Sequence, residues 1–177
     1  LSAGYQRLLT FERPGGGFDW WGTGEPIVWL SAYGLNEFSD MARVYPIDHG
    51  VIDRTRTWLL KQRAADGTWS NIGATHGESI TRMGDPKLLL TSYVTWSLLE
   101  SGTPVADCAS SLKFLRNAVK LSDNAYILAL SANALAAAGD REGAKETLDR
   151  VLVALDRCRH DVPEWTAASY PAGGQSL

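Results

Sequence analysis

The sequence predicts an all-α protein of the α/α-toroid class, in which helical hairpins form part of a ring. Three observations support this prediction. Apolar helical segments alternate with amphipathic ones along the chain, the apolar segments share a short motif, and two of the turns share another. No stretch of any length shows the alternating apolar and polar residues of a β-strand that would compete with this interpretation.

A short helical pattern over residues 2–9 is followed by a glycine-rich turn. Residues 8–18 read LLTFERPGGGF, and they superpose without a gap on residues 59–69, which read LLKQRAADGTW. Both copies predict a helix, a glycine turn and an aromatic side chain that folds back under the helix end. We therefore interpret these residues as structural. The run Gly15-Gly16-Gly17 is a turn and not a phosphate-binding loop, because no strand precedes it.

Three segments are apolar nearly all round and are predicted to be buried inner helices. Each carries a small residue shortly before a tyrosine, at Ser31-Ala-Tyr33, Thr91-Ser-Tyr93 and Asn124-Ala-Tyr126. The second and third segments end at Gly102 and Gly139, where a left-handed C-cap is expected.

Three further segments, at residues 51–64, 105–119 and 143–158, are amphipathic and are predicted to be outer helices. Pro104 and Asp140 stand where the second and third of these should start. Six or seven helices of alternating type fit hairpins with an inner ring and an outer ring. A complete ring of six hairpins needs more residues, so we interpret residues 1–177 as a single domain that is a fragment of such a toroid.

Composition limits the possible functions. Apolar residues make up 45% of the 177 residues and charged residues 21%, which is ordinary for a globular protein with a core. Seventeen basic and twenty acidic side chains give a net charge of −3, and the basic residues form no cluster. The sequence therefore gives no support for nucleic-acid binding or for binding to an anionic membrane.

Cys108 and Cys158 are the two cysteines of the chain. Each lies in a helical pattern beside ordinary polar residues, which favours unpaired thiols, although a disulfide between them stays open. A structural zinc site needs more cysteine and histidine at closer spacing, so no metal site and no cofactor are predicted.

His76 and Glu78 are the candidate functional residues. They lie in the stretch ATHGESI, within the longest connection of the chain, between an outer helix and the next inner helix. Such a connection reaches the surface at one end of the ring, where chemistry tends to collect. A neutral imidazole can act as nucleophile or base, and a nearby carboxylate can orient it. Taken alone, the same pair also fits a polar surface loop.

The other histidines have ordinary settings. His49 stands just before an outer helix, where a polar turn residue is expected, and His160 stands in the last turn of a helix, where a cation suits the helix dipole. The sequence contains no nucleophile elbow, phosphate-binding loop or zinc-binding His-Glu-x-x-His motif.

Over essentially its whole length the chain resembles the thioester-containing domain of the α2-macroglobulin and complement family. Five stretches match that domain in order: GYQRLLTFER, WLSAYGLNEFSDM, IDHGVIDRTRTWLLKQRAADGTW, LLTSYVTWSLLESG and NAYILALSANALAAAG. The resemblance implies the same α/α toroid that the repeats predict.

The resemblance also implies a chemistry. Members of the family join a cysteine to a glutamine side chain as an internal thioester within Cys-Gly-Glu-Gln, and a conformational change exposes it to nucleophiles. In members that prefer hydroxyl acceptors, a histidine just after the Asp-Gly-x-aromatic turn, in a His-x-Glu segment, first takes the acyl group. His76 and Glu78 occupy that place, so the resemblance implies that His76 accepts the acyl group and that Glu78 holds the imidazole or carries a proton.

The resemblance implies a protein that inhibits peptidases or tags targets by covalent transacylation, outside the cell or in the periplasm, and that reacts once rather than as an enzyme. Expected partners are target peptidases or surface hydroxyls and amines, and other domains of the longer protein. No Cys-Gly-Glu-Gln occurs in these residues, so the thioester is expected upstream. A fragment with an open ring would expose apolar inner-helix surface, from which self-association is a further expectation.

Two alternatives remain open at this stage. The domain could be a structural module of a macroglobulin-like protein without a thioester. It could also be a toroid enzyme of the terpene cyclase or protein prenyltransferase type, whose repeats have similar glycine-aromatic turns. The enzyme would require an aspartate-rich motif or an Asp/Cys/His zinc set. Asp107 and Cys108 are adjacent in sequence, but no histidine is evidently placed with them.

Overall fold

The computed structural model describes residues 2–70 and 84–161, with the side chains of the last helix described through residue 157. Seven α-helices lie in these ranges: α1 (Ser2–Leu9), α2 (Val28–Ala42), α3 (His49–Lys61), α4 (Pro86–Glu100), α5 (Ala109–Ala118), α6 (Ala125–Ala137) and α7 (Arg141–Asp161). Short 3-10 helices over Val105–Cys108 and Val119–Leu121 flank α5. Within the described ranges, β-type pairing is limited to one isolated bridge between Glu12 and Phe18.

The helices form two layers. Helix α2 packs on α4, and α4 packs on α6, so these three make an inner row. Helices α3, α5 and α7 each pack against the inner helix that precedes them in the chain. This arrangement of hairpins is the predicted α/α toroid, of which the described helices form part, and the alternation of buried and amphipathic segments is confirmed.

Burial follows the same division. On α4, ten of fifteen residues are buried, from Leu88 to Leu99, and α6 is buried along most of its length. The outer helices α3 and α5 bury a few residues each along one side and expose the other. Within residues 2–70 and 84–161, no helix is both long enough and apolar enough to cross a membrane.

Both predicted glycine caps end their helices in the left-handed conformation. Gly102 follows α4 with φ +89°, and Gly139 follows α6 with φ +78°. The residue after each glycine donates its N–H back to the helix, from Thr103 to the carbonyl of Leu98 and from Asp140 to that of Leu135, at 3.0 and 2.9 Å. These are the bonds of a Schellman motif, which pairs carbonyl groups that the helix end leaves free.

The starts of the outer helices also agree with the sequence, with one difference. The carboxylate of Asp140 accepts the N–H of Gly143 at 3.0 Å and so caps the first turn of α7. After Pro104 the chain turns helical at once, but it does so as a 3-10 turn, and the α-helix begins only at Ala109.

The first glycine turn, at residues 13–18, is closed by two backbone hydrogen bonds. The N–H of Arg13 donates to the carbonyl of Gly17 at 2.9 Å, and that of Gly16 donates to Arg13 at 3.0 Å. Phe18 is 4% exposed, and its N–H donates to the hydroxyl of Ser31 on α2 at 2.8 Å. The turn therefore ends with an aromatic residue fixed to an inner helix.

The second glycine turn, at residues 64–69, repeats each of these contacts. The N–H of Ala64 donates to Thr68 at 2.8 Å, and that of Gly67 donates to Ala64 at 3.0 Å. Trp69 is 1% exposed, and its N–H donates to the hydroxyl of Thr91 on α4 at 3.2 Å. The gap-free superposition seen in the sequence is thus a true structural repeat, and its residues are structural as predicted.

Each turn also fits closely against an outer helix. A Cβ added to Gly16 (φ +99°) would lie 2.5 Å from the carbonyl oxygen of Arg54 on α3. A Cβ added to Gly67 (φ +86°) would lie 2.6 Å from the carbonyl carbon of Ser110 on α5. Only glycine fits these two positions without a shift of the neighbouring backbone.

The tyrosine motif has the same setting in two of the three inner helices. Ser31 and Thr91 lie inside α2 and α4, and each accepts the N–H of a turn aromatic, whereas Asn124 precedes α6 and accepts hydrogen bonds from its first N–H groups. Each inner helix also contains a fully buried serine that donates to the carbonyl four residues earlier in its own helix at 2.7–2.8 Å: Ser31, Ser92 and Ser131. The hydroxyls of the last two also lie 2.7 Å apart and link α4 to α6.

Substitution of adjacent glycines tests the role of the turn. We expect Gly16→Ala to lower the free energy of unfolding by roughly 2–4 kcal/mol, because it adds a backbone clash to the cost of a left-handed alanine. Gly15 has a similar φ of +88° but nothing within 4 Å of an added Cβ, so Gly15→Ala should cost only about 1–2 kcal/mol. Urea unfolding of both variants makes the comparison. Equal losses would show that the fit of Gly16 against α3 contributes nothing.

Candidate functional site

His76 and Glu78 lie in residues 71–83, outside the described part of the chain. The structure does describe the residues on both sides of this segment. The site is therefore built from these two flanks.

The first flank contains Trp69, which lies just before residues 71–83. The indole N–H of Trp69 donates to the carbonyl of Leu59 at 2.8 Å, which places the ring under the end of α3. Its backbone N–H is bonded to the Thr91 hydroxyl on α4, and the guanidinium of Arg63 lies 5.9 Å from the ring centre. Because the side chain is buried and both of its N–H groups are paired, this flank is firmly held.

The second flank begins at Gly84 and leads directly into α4. Asp85 caps that helix by accepting the N–H groups of Lys87 and Leu88 at 2.9 and 3.1 Å, and Pro86 is its first residue. Gly84 has φ +118°, and a Cβ there would lie 3.0 Å from the side-chain amide nitrogen of Asn124, at the start of α6. Gly84 therefore lies between the N-termini of two inner helices, α4 and α6.

An ion pair joins the two flanks. The ammonium of Lys87 lies 2.7 Å from a carboxylate oxygen of Asp66, twenty-one residues earlier, and 5.5 Å from the ring centre of Phe114. The Lys87 ammonium, together with the Thr68 hydroxyl, lowers the pKa of Asp66 to about 2. The two flanks of residues 71–83 thus lie together at one edge of the helical row, at the N-terminal end of α4.

The other histidines take no part in this edge as far as the described residues show. His49 is exposed and is the first residue of α3, immediately after the capping Asp48. His160 belongs to the last turn of α7, as predicted, and its side chain lies outside the described part.

Cys108 is not a candidate nucleophile. Its side chain is fully buried and unpaired, and burial raises the pKa of its thiol to about 11. A thiol with that pKa is protonated at neutral pH and does not attack. The side chain of Cys158 lies outside the described residues, so the pairing of that cysteine stays a prediction.

Two clefts in the described part have no lining residue in the flanks of residues 71–83. One cleft of about 290 Å³ lies between the segment that follows α1 and one side of α2, and half of its lining residues are aromatic. Another of about 280 Å³ lies between α5 and α7 and is lined by charged side chains of both signs. In residues 2–70 and 84–161, no three of histidine, cysteine, aspartate and glutamate come together as metal ligands could.

Comparison with known proteins identifies the family of this chain. The family profile described as "A-macroglobulin TED domain" matches residues 1–176. Thioester-containing protein 1, allele R1, of Anopheles gambiae is 26% identical over 140 residues, which is 76% of this chain and 10% of that protein. Complement C3 of Oncorhynchus mykiss is 24% identical over 160 residues, which is 84% of this chain and 10% of that protein.

Solved structures show the same fold. Native α2-macroglobulin from Escherichia coli, in a crystal structure from domain MG7 to the C-terminus, superposes with a TM-score of 0.65 at 22% identity. The match covers 87% of this chain and 22% of that one. The chain spans about a tenth of the length of the curated relatives it matches.

Titration of Asp66 tests the ion pair that joins the two flanks. The carboxyl should titrate near pH 2, and in Lys87→Met its pKa should rise toward the ordinary value, since the adjacent ammonium is lost. A carboxylate with a lowered pKa stabilises the fold at pH above its unfolded value of 3.8, and this contribution is lost as the pH falls toward 2.

The measurement is the side-chain carboxyl ¹³C shift against pH. Lys145→Met, which removes an exposed lysine on α7, is the matched control and should leave Asp66 unchanged. An unaltered Asp66 pKa in Lys87→Met would mean that the two flanks are not paired in solution.

Proposed function

This chain belongs to the A-macroglobulin TED domain family, and we propose on that basis that the longer protein inhibits peptidases or tags targets by covalent thioester transacylation. The observation that carries the proposal is the family match over residues 1–176. One relative is named for the thioester it contains, and another is a complement component. The proposed location is extracellular or periplasmic.

In this proposal His76 is the group that first accepts the acyl chain. It lies seven residues beyond Trp69 in the sequence, within the His-x-Glu segment that follows the Asp-Gly-x-aromatic turn. The structure supports the proposal through Trp69, which is buried and hydrogen-bonded to α3 and α4, so that the segment with His76 starts from a fixed point. The ion pair of Asp66 and Lys87 provides the second tether.

The chemistry follows from the groups involved. An imidazole nitrogen of His76 attacks the thioester carbonyl, the carbon–sulfur bond breaks, and the cysteine leaves as a thiolate. An acceptor hydroxyl then attacks the acyl-imidazole and gives its proton to the thiolate as the carbon–nitrogen bond breaks. The products are an ester to the acceptor, a free thiol and the original imidazole. An acyl-imidazole reacts with hydroxyls more readily than a thioester does, which is the advantage of the intermediate.

Glu78 is proposed to hold the imidazole or to carry a proton during the transfer. A carboxylate hydrogen-bonded to one ring nitrogen fixes the tautomer that leaves the other nitrogen free to attack. The separation of two residues keeps the two side chains in one short segment.

The reaction consumes the thioester, so each molecule acts once and the protein is not an enzyme. Its partners in the proposal are target peptidases or surface hydroxyl and amine groups, together with the other domains of the longer protein. The thioester cysteine and glutamine are proposed to lie outside these 177 residues, which contain no Cys-Gly-Glu-Gln.

The second candidate function is that of a family member without thioester chemistry. In it, the domain is a structural module whose longer protein has no thioester. The absence of a Cys-Gly-Glu-Gln motif from the 177 residues is the observation that keeps this candidate open. A cysteine followed three residues later by glutamine in the upstream sequence would favour the first candidate.

Substitution of His76 in the full-length protein tests the acyl-transfer role. His76→Ala should slow transfer to glycerol by about 100-fold or more, because the hydroxyl route depends on the acyl-imidazole. Direct reaction with methylamine should continue at close to its original rate, because amines attack a thioester without help. Covalent incorporation of labelled glycerol and labelled methylamine measures both reactions.

His49→Ala is the matched control, since His49 is exposed and lies at the start of another helix. It should leave both reactions unchanged. If His76→Ala transferred to glycerol as fast as the unaltered protein, His76 would have no part in the mechanism.

A further inference from the structure

The aromatic cleft beside α2 is small. Its volume is about 290 Å³, at the lower limit of pockets that hold small molecules. Half of its ten lining residues are aromatic, from the segment after α1 and from α2: Phe11, Phe18, Trp20, Tyr33 and Phe38. Two carboxylates, of Asp19 and Glu37, also line it. Aromatic walls with a carboxylate suit a cation on an apolar stem.

The carboxylate of Asp19 is already used by its own turn. One of its oxygens accepts the backbone N–H groups of Trp21, Thr23 and Gly24 at 3.2, 3.1 and 2.8 Å. These bonds, that of Gly24 first, lower the pKa of Asp19. Asp19 therefore forms part of the wall of the cleft. It is 6% exposed, and one of its two carboxylate oxygens is already hydrogen-bonded within its own turn.

Glu37 is different, because its charge is open to the solvent. The side chain is exposed, and no lysine or arginine of residues 2–70 and 84–157 lies within 4.0 Å of its carboxylate. Its charge is close enough to raise the pKa of the Tyr33 hydroxyl, one turn earlier on the same helix. Asp40, one turn further along, is by contrast paired with Arg43 at 3.1 Å.

The cleft opens on a side of α2 that α4 does not cover. The side-chain amide of Asn36 donates to the hydroxyl of Ser97 on α4 at 3.0 Å. Gly34 in the cleft lies about 160° from Asn36 around the helix axis, since successive residues are about 100° apart. A Cβ at Gly34 would lie 3.0 Å from the ring of Phe18, so glycine keeps the floor of the cleft open. A further helix could pack on this side, as α4 does on the other.

We propose that this cleft holds a lysine side chain from another part of the longer protein, packed beside α2 with its ammonium on Glu37. Lysine suits the site because its ammonium is a compact point charge that the single exposed carboxylate of Glu37 can pair. The four-carbon stem would lie against the aromatic walls. The relatives are about ten times longer than this chain, so such a partner segment is to be expected. The site does not depend on the thioester chemistry.

Zero-length crosslinking of the full-length protein tests the proposal. A water-soluble carbodiimide activates the Glu37 carboxylate, and a lysine amine in contact displaces the activating group to form an amide, with net loss of water. Peptide mass spectrometry should find Glu37 joined to a lysine outside residues 1–177 of the same polypeptide. Glu37→Gln should remove this crosslink, whereas Glu100→Gln, at the exposed end of α4, should leave it in place.

Carboxyl labelling is the second measurement. With carbodiimide and glycine ethyl ester, Glu37 should be labelled at least about fivefold more slowly in the full-length protein than in the 177-residue chain, because a paired and covered carboxylate is shielded. Glu100 provides the reference rate. Equal labelling of Glu37 in the two proteins would overturn the proposal, and so would a Glu37 crosslink that forms only to a second copy or to a different protein.

Discussion

The fold depends on a hydrogen bond from the backbone of a buried aromatic residue to a hydroxyl on an inner helix. Phe18 makes this bond to Ser31, and Trp69 makes it to Thr91. In each case the preceding glycine turn brings the end of one helix back under the next layer, and the glycine allows the turn to touch an outer helix. In these two places the bond fixes the chain that leads into an inner helix, α2 in the first case and α4 in the second.

The repeated turn also precedes the connections that lead into α2 and α4. After Phe18 the chain reaches α2 within residues 19–27, and Asp19 organises part of this short connection through three backbone N–H groups. After Trp69 the connection to α4 is longer, at residues 70–85, and it contains His76. The pair of Asp66 and Lys87 joins the two described flanks of this connection. A longer connection on a rigid repeat is where a functional residue can be placed without disturbing the core.

Much of the fold could be predicted from the sequence, because its signals are local. Apolar periodicity predicted the helices, and Gly102 and Gly139 predicted the ends of two of them. The matching sequences of the two glycine turns predicted the structural repeat. The motif shared by the inner helices was informative for two of them. Ser31 and Thr91 have the same role in α2 and α4, but Asn124 proved to be a helix cap of α6. The contact between the Ser92 and Ser131 hydroxyls that links α4 to α6 could not be predicted, because serine is common in many settings.

The site was less accessible to sequence reasoning. The pair of Asp66 and Lys87 and the aromatic cleft beside α2 join residues far apart in the chain, and no local pattern marks either one. The assignment of His76 rests on family resemblance and remains a prediction. The most direct test of the account is to treat the full-length protein with methylamine and to measure free thiol and mass. The account predicts one new thiol per chain and the mass gain of one methylamine. No new thiol and no mass gain would contradict it, and the domain would then be a scaffold.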